Sequence, residues 1–249
     1  MKPSVVLVAF TLVLLAAVAL FAPAALLDAR LDSATQGHLR LANAAGTVWN
    51  GRGVVTDAQH TWSLPVGWKV DPLALLRGER LLTLQAAEGG DLPRGDVAWR
   101  DGTLTVNGIA FTLPAMAMNG TLAAADAMAF GGNVAFDAPR MSWSSDGGDG
   151  AATARWSGAR LAGNAGTLAL GTVTATLAPH NGRIQGRVEN RGGDVRIDGE
   201  FAWGNSGLEV NATLVPLPST PPAVIRALGA MGTPDANRSV RVQWRGGTR

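Results

Sequence analysis

The residues that could carry acid–base or metal chemistry are few and widely spaced in this sequence. The three histidines lie far apart in the chain, at His38, His60 and His180. Metal-binding histidines usually occur in short local spacings such as HxxxH, and none is present, nor is there a GxSxG, P-loop or GxGxxG motif. Asp146 and Asp149 resemble a calcium loop only in part, because Ser157 stands where such a loop needs its bidentate glutamate. The sequence therefore predicts no catalytic residue, no metal site and no cofactor.

The amino-acid composition excludes cysteine chemistry and bears on the choice of partner. The chain has no cysteine, so thiolate catalysis, cysteine metal ligands and disulfides are excluded. The pI of 9.9 looks strongly basic, yet the net charge is only +2. Few groups titrate above neutral pH, because tyrosine and cysteine are absent and the lysines are only Lys2 and Lys69. The charge therefore does not indicate a nucleic-acid partner.

Tryptophan supplies most of the large aromatic surface and the best candidates for a binding role. The eight tryptophans are Trp49, Trp62, Trp68, Trp99, Trp143, Trp156, Trp203 and Trp244. One interpretation is core packing, with indole N–H groups bonded to backbone at the rim of a sheet. The other is an uncovered apolar face that docks a partner or an acyl chain. The candidate partner-docking residues are Trp49, Trp62, Trp143 and Trp203.

The elements that hold these tryptophans are predicted to be antiparallel strands. Asn-Gly and Asp-Gly dipeptides favour two-residue hairpin turns, and they occur at 50–51, 101–102, 107–108, 119–120 and 181–182. Polar and apolar residues alternate most clearly at 183–189, 194–203 and 239–245. The other predicted strands are 39–49, 52–63, 80–87, 95–100, 103–113, 133–143, 151–157 and 167–177. In the last of these, the alternation slips at Gly171, which predicts a bulge.

Two short helices and one loop interrupt the predicted strands. Residues 71–78 begin with Asp71 as a helix cap and Pro72 at the first helical position, and 220–231 follow the same pattern. The stretch 144–150 is polar and rich in glycine, which is typical of a flexible loop. We therefore predict either one β domain over residues 28–249 or two subdomains with a hinge near 144–150.

An apolar run over residues 4–27 predicts a membrane anchor. Its 24 residues would form a helix of about 36 Å, enough to cross a hydrocarbon core of about 30 Å. Because Lys2 precedes the run, residues 1–3 are predicted to be cytoplasmic and residues 28–249 periplasmic. A cleavable signal is the alternative, since Ala22-Pro23-Ala24 has the small-x-small form of a cleavage site. The apolar run is longer than the usual 7–15 residues or so of a signal, and Pro23 interrupts that tripeptide.

Together these patterns predict a mainly β fold. It consists of an N-terminal transmembrane helix followed by a curved antiparallel β-sheet domain with one or two short helices.

Several segments, taken in order, resemble one known family. They are LANAAGTVWNGRG at 41–53, WSLPVGWKVDPLALLRGERL at 62–81, ATARWSGARL at 152–161, LGTVTATL at 170–177, ENRGGDVRIDGEF at 189–201 and LGAMGTPDANRSVRVQW at 228–244. The first two are similar to the N-terminal signature of the type II (general) secretion pathway protein N family. In that signature a GTxWxG element after the anchor leads into a tryptophan-containing strand and a short proline-initiated helix. The resemblance is weakest over residues 82–150.

The resemblance implies a bacterial inner-membrane protein with a single span and a periplasmic β domain. Such a protein belongs to the machinery that exports folded proteins through an outer-membrane secretin. Its implied partners are other inner-membrane secretion-system subunits and the secretin, and no catalytic residues carry over, so we do not expect an enzyme. Our hypothesis is a scaffold that docks neighbouring subunits through strand edges and its tryptophan-bearing face, by β-augmentation. The alternative is a periplasmic carrier of lipid or another hydrophobic ligand on an apolar sheet face, with no other small-molecule ligand expected.

Overall fold

The protein is mainly β, with one large antiparallel sheet and few helices, as the sequence predicts. The computed structural model describes residues 21–86, 90–118, 128–163, 166–204, 207–218, 220–231, 234–236 and 238–246. The chain divides into two compact units, Met1–Arg94 and Gly95–Arg249, which we call the N-terminal and C-terminal units. The strands are hydrogen-bonded in chain order.

The helices and strands have the following bounds. The strands are β1 (Leu39–Gly46), β2 (Asn50–Asp57), β3 (Ser63–Val70), β4 (Arg80–Ala86), β5 (Arg94–Arg100), β6 (Thr103–Pro114), β7 (Met128–Ser144), β8 (Gly147–Gly163), β9 (Gly166–His180), β10 (Arg183–Arg191), β11 (Val195–Gly204), β12 (Gly207–Pro216) and β13 (Val240–Gly246). The helices are α1 (Leu26–Ala34), α2 (Pro72–Leu76) and α3 (Pro222–Met231), with a 3₁₀ turn at Ala115–Met118.

The predicted transmembrane segment 4–27 lies mostly outside the described residues, which begin at Phe21. Its last residues belong to the N-terminal unit instead. The Ala24 N–H donates to the Gly46 carbonyl at 3.0 Å, and the Val48 N–H donates to the Ala22 carbonyl at 2.9 Å. Over the ranges the structure describes, none of the helices combines the length and the apolar character that a membrane crossing needs. Ala22 and Ala24 thus bond to residues at the end of β1 and in the turn after it, and the predicted bounds of the span stay a prediction.

Helix α1 packs on β1 through its apolar side. Leu27 and Leu31, one helical turn apart, contact a core that contains Ala24, Leu41 and Trp68. On the same side, Asp28 accepts hydrogen bonds from the Arg40 guanidinium at 2.6 and 3.0 Å and from the Leu41 N–H at 2.8 Å. The helix is thus attached to the first strand by burial and by one carboxylate.

The C-terminal unit has one apolar face, which follows from its register. Directly opposed residues in antiparallel strands lie on the same face of the sheet. Apolar pairs on this face include Leu104 with Trp143, Phe111 with Phe136, Trp156 with Val173, Ile184 with Trp203 and Phe201 with Val210. The opposite face of β10 and β11 carries charged pairs such as Arg187 with Glu200. The alternation predicted at 183–189 and 194–203 is therefore confirmed.

One end of this apolar face is covered by helix α3, and we call it the capped end. Val224 and Leu228 of α3 enter a buried cluster with Leu170, Val195 and Val240. Polar side chains form hydrogen bonds with backbone groups around this cluster. Asn190 donates to the Leu170 and Val195 carbonyls and accepts from the Ile197 N–H, at 2.7–2.8 Å. The Thr220 hydroxyl donates to the Asp194 carbonyl.

Several finer predictions can be compared with these elements. Both predicted helices occur, as the shorter α2 and α3; Asp71 caps α2 by accepting from the Leu73 N–H at 2.9 Å. The bulge at Gly171 is confirmed by a register shift between β8 and β9. The hinge predicted near 144–150 stays a prediction. Residues 145–146 form a tight turn between β7 and β8, and the division between units falls after Arg94.

Asp28 provides a test of how the first helix is held. The Arg40 guanidinium and then the Leu41 N–H lower the pKa of Asp28 to about 2. We expect Asp28→Asn to lower the free energy of unfolding by about 1–2 kcal/mol at neutral pH, the scale of a hydrogen bond to a charged group. Because the folded-state pKa is depressed, this contribution is complete above the ordinary pKa near 4 and is lost as pH falls through about 2.

The measurement is denaturant unfolding of the wild type and Asp28→Asn at several pH values between 7 and 2. Asp32→Asn is the control, since that carboxylate lies 3.9 Å from Arg40 and is more exposed. A loss in Asp28→Asn that stays constant down to pH 2 would contradict this assignment.

Candidate docking site at the tryptophan end

Three tryptophans lie at the end of the C-terminal unit opposite α3. Trp99, Trp143 and Trp203 each occupy the position before the last residue of a strand, in β5, β7 and β11. In an antiparallel meander all odd-numbered strands run in the same direction, so their final residues meet at the same end of the sheet. We call this the tryptophan end.

The stacking of Trp143 on Trp203 shows that the sheet is strongly curled here. Their ring centroids are 6.5 Å apart and the ring planes differ by 25°. Four strand-to-strand steps separate β7 from β11, a distance of about 19 Å in a flat sheet. The two rings can meet only because the strands between them curve. The apolar face is therefore the inner face of the curl at this end.

A close approach of two hairpin turns fixes the position of Trp143. Its indole N–H donates to the Gly182 carbonyl at 3.2 Å, which ties β7 to the turn between β9 and β10. Gly182 has a φ of +71°, and a Cβ at this position would lie 2.3 Å from the Ser145 carbonyl oxygen of the neighbouring turn. Only glycine fits both conditions.

The tryptophan end exposes a large aromatic surface. Trp203 is 48% exposed and Trp99 is 40% exposed. Trp99 and Trp143 line an open cleft of about 490 Å³ together with Ser145, Asn181 and Arg183. The Arg183 guanidinium lies 3.4 Å from the Glu209 carboxylate, so its charge is partly balanced. The site offers flat apolar rings beside amide, hydroxyl and guanidinium groups.

The other two candidates, Trp49 and Trp62, belong to the N-terminal unit. Trp62 is only 8% exposed, and its carbonyl accepts from the Thr56 hydroxyl at 2.5 Å. Burial acts to raise the pKa of the neighbouring Asp57, but hydrogen bonds from the Thr61 hydroxyl and N–H and from the Trp62 N–H lower it overall. Trp49 is half-buried, and its carbonyl accepts from the Val70 N–H at 2.6 Å. A docking role for either residue stays a prediction.

The GTVWNG stretch at 46–51 has a structural role in the turn from β1 to β2. The Thr47 N–H donates to the Asn50 carbonyl at 2.9 Å, and the Trp68 indole N–H donates to the Val48 carbonyl at 3.2 Å. A Cβ on Gly51 would lie 2.5 Å from the Trp68 ring. The element therefore lets the Trp68 ring pack directly on the turn.

Sequence reasoning selected Trp143 and Trp203 but missed Trp99. All three share a signal, because each stands at or next to the end of a predicted strand, 95–100, 133–143 or 194–203, and these three strands run in the same direction in a meander. Counting strands would have placed them together. The weakly patterned strands between residues 82 and 150 made that count unreliable.

The titratable residues show no cluster suited to metal chemistry. Within the ranges given above, no three histidine, aspartate or glutamate side chains lie close enough together to hold a metal ion. His38, His60 and His180 are all exposed. The carboxylates with depressed pKa values, Asp28 and Asp57, bind backbone N–H groups of their own unit.

Comparison with known proteins gives one family. The family model described as type II secretion system (T2SS), protein N matches residues 37–243. Comparisons with curated proteins and with solved structures gave no match.

Gly182 allows the packing of the tryptophan end to be tested. We expect Gly182→Ala to destabilise the protein by about 2–3 kcal/mol, since it adds a steric clash to the cost of a positive φ. Gly102→Ala is a matched control: its φ is +77° in a similar turn, but a Cβ there would meet nothing within 4 Å. Unfolding free energies and near-UV circular dichroism of the stacked indoles measure the difference. Equal losses in the two variants would show that the turns do not constrain each other.

Proposed function

The chain belongs to the type II secretion system protein N family, and on this premise we propose that it is an inner-membrane-anchored periplasmic subunit that docks other components of the secretion machinery. The docking surface in this proposal is the tryptophan end. The observation that carries it is the stacked Trp143–Trp203 pair, with Trp203 and the nearby Trp99 substantially exposed.

Large exposed indoles on rigid strand ends are suited to protein recognition. Tryptophan and arginine are enriched among the residues that dominate interface energies, because they bury much area with few rotatable bonds. At this end Trp143 is held by the Gly182 carbonyl and by the Trp203 ring, so little conformational entropy is lost on binding. Arg183 and Asn181 border the same cleft and can fix the orientation of a partner.

The anchoring part of the proposal rests on the sequence before Phe21. Because Ala22, Ala24 and Leu27 contact the N-terminal unit, we take residues 4–20 as the span in this proposal. Seventeen residues make a helix of about 25 Å, at the lower limit for crossing a bilayer. Lys2 favours a cytoplasmic N-terminus and a periplasmic location for both units. The partners we propose are other inner-membrane secretion subunits and the outer-membrane secretin.

In-cell crosslinking tests the docking surface. A photo-crosslinking amino acid at Trp203 or Trp99 is expected to attach the full-length protein to another secretion subunit, identified by mass spectrometry. Arg226, exposed on α3 at the capped end, is the control position and should give no such product. The proposal fails if Arg226 captures the same chains, or if neither tryptophan position captures a secretion subunit in cells that secrete normally.

A second function is favoured by the curled apolar face. Leu104, Val106, Leu177 and Ile184 lie on the inner face of the C-terminal unit, while α3 packs only at the capped end. A curled sheet with an apolar interior and tryptophans at its open end could shelter an acyl chain. This carrier role is the alternative to the scaffold.

Mass spectrometry of the protein discriminates the two functions. The domain from residue 22 onward retains all the described contacts and can be purified without detergent for this purpose. If the protein is a carrier, one lipid should co-purify with each molecule, and Val106→Glu on the inner face should abolish this lipid binding. A scaffold would be recovered free of lipid.

A further inference from the structure

The last strand of the sheet presents an unpaired edge. β13 is joined to β12 by seven consecutive residue pairs, from Leu208 with Gly246 to Leu214 with Val240. In the portion of the chain that the structure describes, no backbone hydrogen bond connects the outer edge of β13 to another segment. An edge strand of this kind offers N–H and C=O groups that an extended chain can pair with.

The outer edge of the first strand, β1, is covered by other residues of the chain. The Leu39 N–H donates to the Thr35 hydroxyl at 3.0 Å, and the Leu41 N–H donates to the Asp28 carboxylate at 2.8 Å. Further along β1, the Gly46 carbonyl accepts from the Ala24 N–H at 3.0 Å. Residues 22–35 therefore satisfy backbone groups along the outer edge of β1. Among the described residues, the outer edge of β1 is covered and that of β13 is not.

The side chains of β13 indicate which chemistry fits the open edge. Arg241, Gln243 and Arg245 are exposed on one face, while Val240 and Val242 lie on the apolar face. Only Arg245 has an acidic neighbour across the ladder, with its guanidinium 3.9 Å from Glu209, which also contacts Arg183. An added strand with acidic residues opposite Arg241 and Arg245 would gain favourable cross-strand pairs.

A second copy of this chain does not fit the edge well. If two β13 strands paired antiparallel about Gln243, Arg241 of each chain would stand opposite Arg245 of the other. Like charges directly opposite each other destabilise a sheet. Arginines on an edge strand also discourage unselective pairing. Both effects favour an acidic partner over self-association.

We propose that the outer edge of β13 accepts, by strand addition, an extended segment of another polypeptide that carries acidic residues at alternate positions and apolar residues between them. This inference rests on the docking role proposed above but uses a separate surface from the tryptophan end. The acidic side chains of the added strand lie beside Arg241 and Arg245, and its apolar side chains extend the face that contains Val240 and Val242.

The test uses full-length protein in detergent and a labelled nine-residue peptide, Thr-Glu-Val-Glu-Val-Glu-Val-Glu-Thr. Binding is followed by fluorescence anisotropy, and hydrogen–deuterium exchange reports the backbone. We expect saturable binding that weakens with salt, together with slower exchange of the amides of residues 240–246. A peptide with lysine in place of every glutamate should bind at least about tenfold more weakly, since it meets two arginines of like charge.

Reversing the two arginine charges on β13 tests whether the peptide binds at this edge. Arg241→Glu combined with Arg245→Glu should weaken the glutamate peptide at least about tenfold and strengthen the lysine peptide. Arg196→Glu is the single-charge control, because Arg196 is also exposed on the polar face but lies on β11, an interior strand. It should change binding of either peptide less than threefold.

Hydrogen exchange and peptide binding distinguish strand addition by a partner from pairing with a second copy of the chain. Unchanged exchange in residues 240–246 at saturating peptide, or equal binding of both peptides, overturns strand addition. Exchange in β13 that slows with rising protein concentration and no peptide would show that a second copy occupies the edge, which also overturns it. These measurements are made on the isolated protein, so their failure is distinct from a failure of the crosslinking at Trp203 and Trp99.

Discussion

The contact between Trp143 and Trp203 sets the geometry of the C-terminal unit. A flat meander of this length would expose a continuous apolar face on one side. Because Trp143 of β7 contacts Trp203 of β11, the sheet curls and this face points inward. Helix α3 covers the opposite end of the face. Burial of apolar area therefore comes mainly from curvature of one sheet rather than from a second layer. The glycine at 182 is the point at which this curvature requires two backbones to touch.

The two terminal strands of the sheet, β1 and β13, differ in their outer edges. A sheet that does not close on itself has two edges, and unprotected edges promote aggregation. The segment before β1 satisfies backbone groups of the first edge with Ala24, Asp28 and Thr35. At the other edge, β13 carries exposed arginines, and no segment that the structure describes covers it. Within the described chain, this edge is therefore available for pairing.

Much of this architecture follows from the sequence, and the failures have physical causes. Alternation on β10 and β11 is clear because one face is charged and the other apolar, so their bounds were predicted within one or two residues. β3 and β12 were not predicted as separate strands. A proline interrupts β3, whereas β12 alternates regularly, with Leu208, Val210 and Leu214 on one face, and its pattern was overlooked. Helix α1 was hidden because its apolar residues continue the hydrophobic run before it. Counting strands places Trp143 and Trp203 at the same end of the sheet, but their contact was not predictable, since it depends on the curl across the four steps from β7 to β11.

Several polar side chains in the described part of the chain serve to satisfy backbone groups. The carboxylates and amides with several partners, Asp28, Asp57 and Asn190, bond to backbone N–H or C=O groups at helix, turn and strand ends. Those groups would otherwise be left without partners inside a protein that has few helices and no disulfides to hold its turns. The exposed groups at the tryptophan end and on β13 include indole rings, guanidinium groups and the backbone of a terminal strand. Such groups are used to recognise other polypeptides, and they support the docking role proposed above.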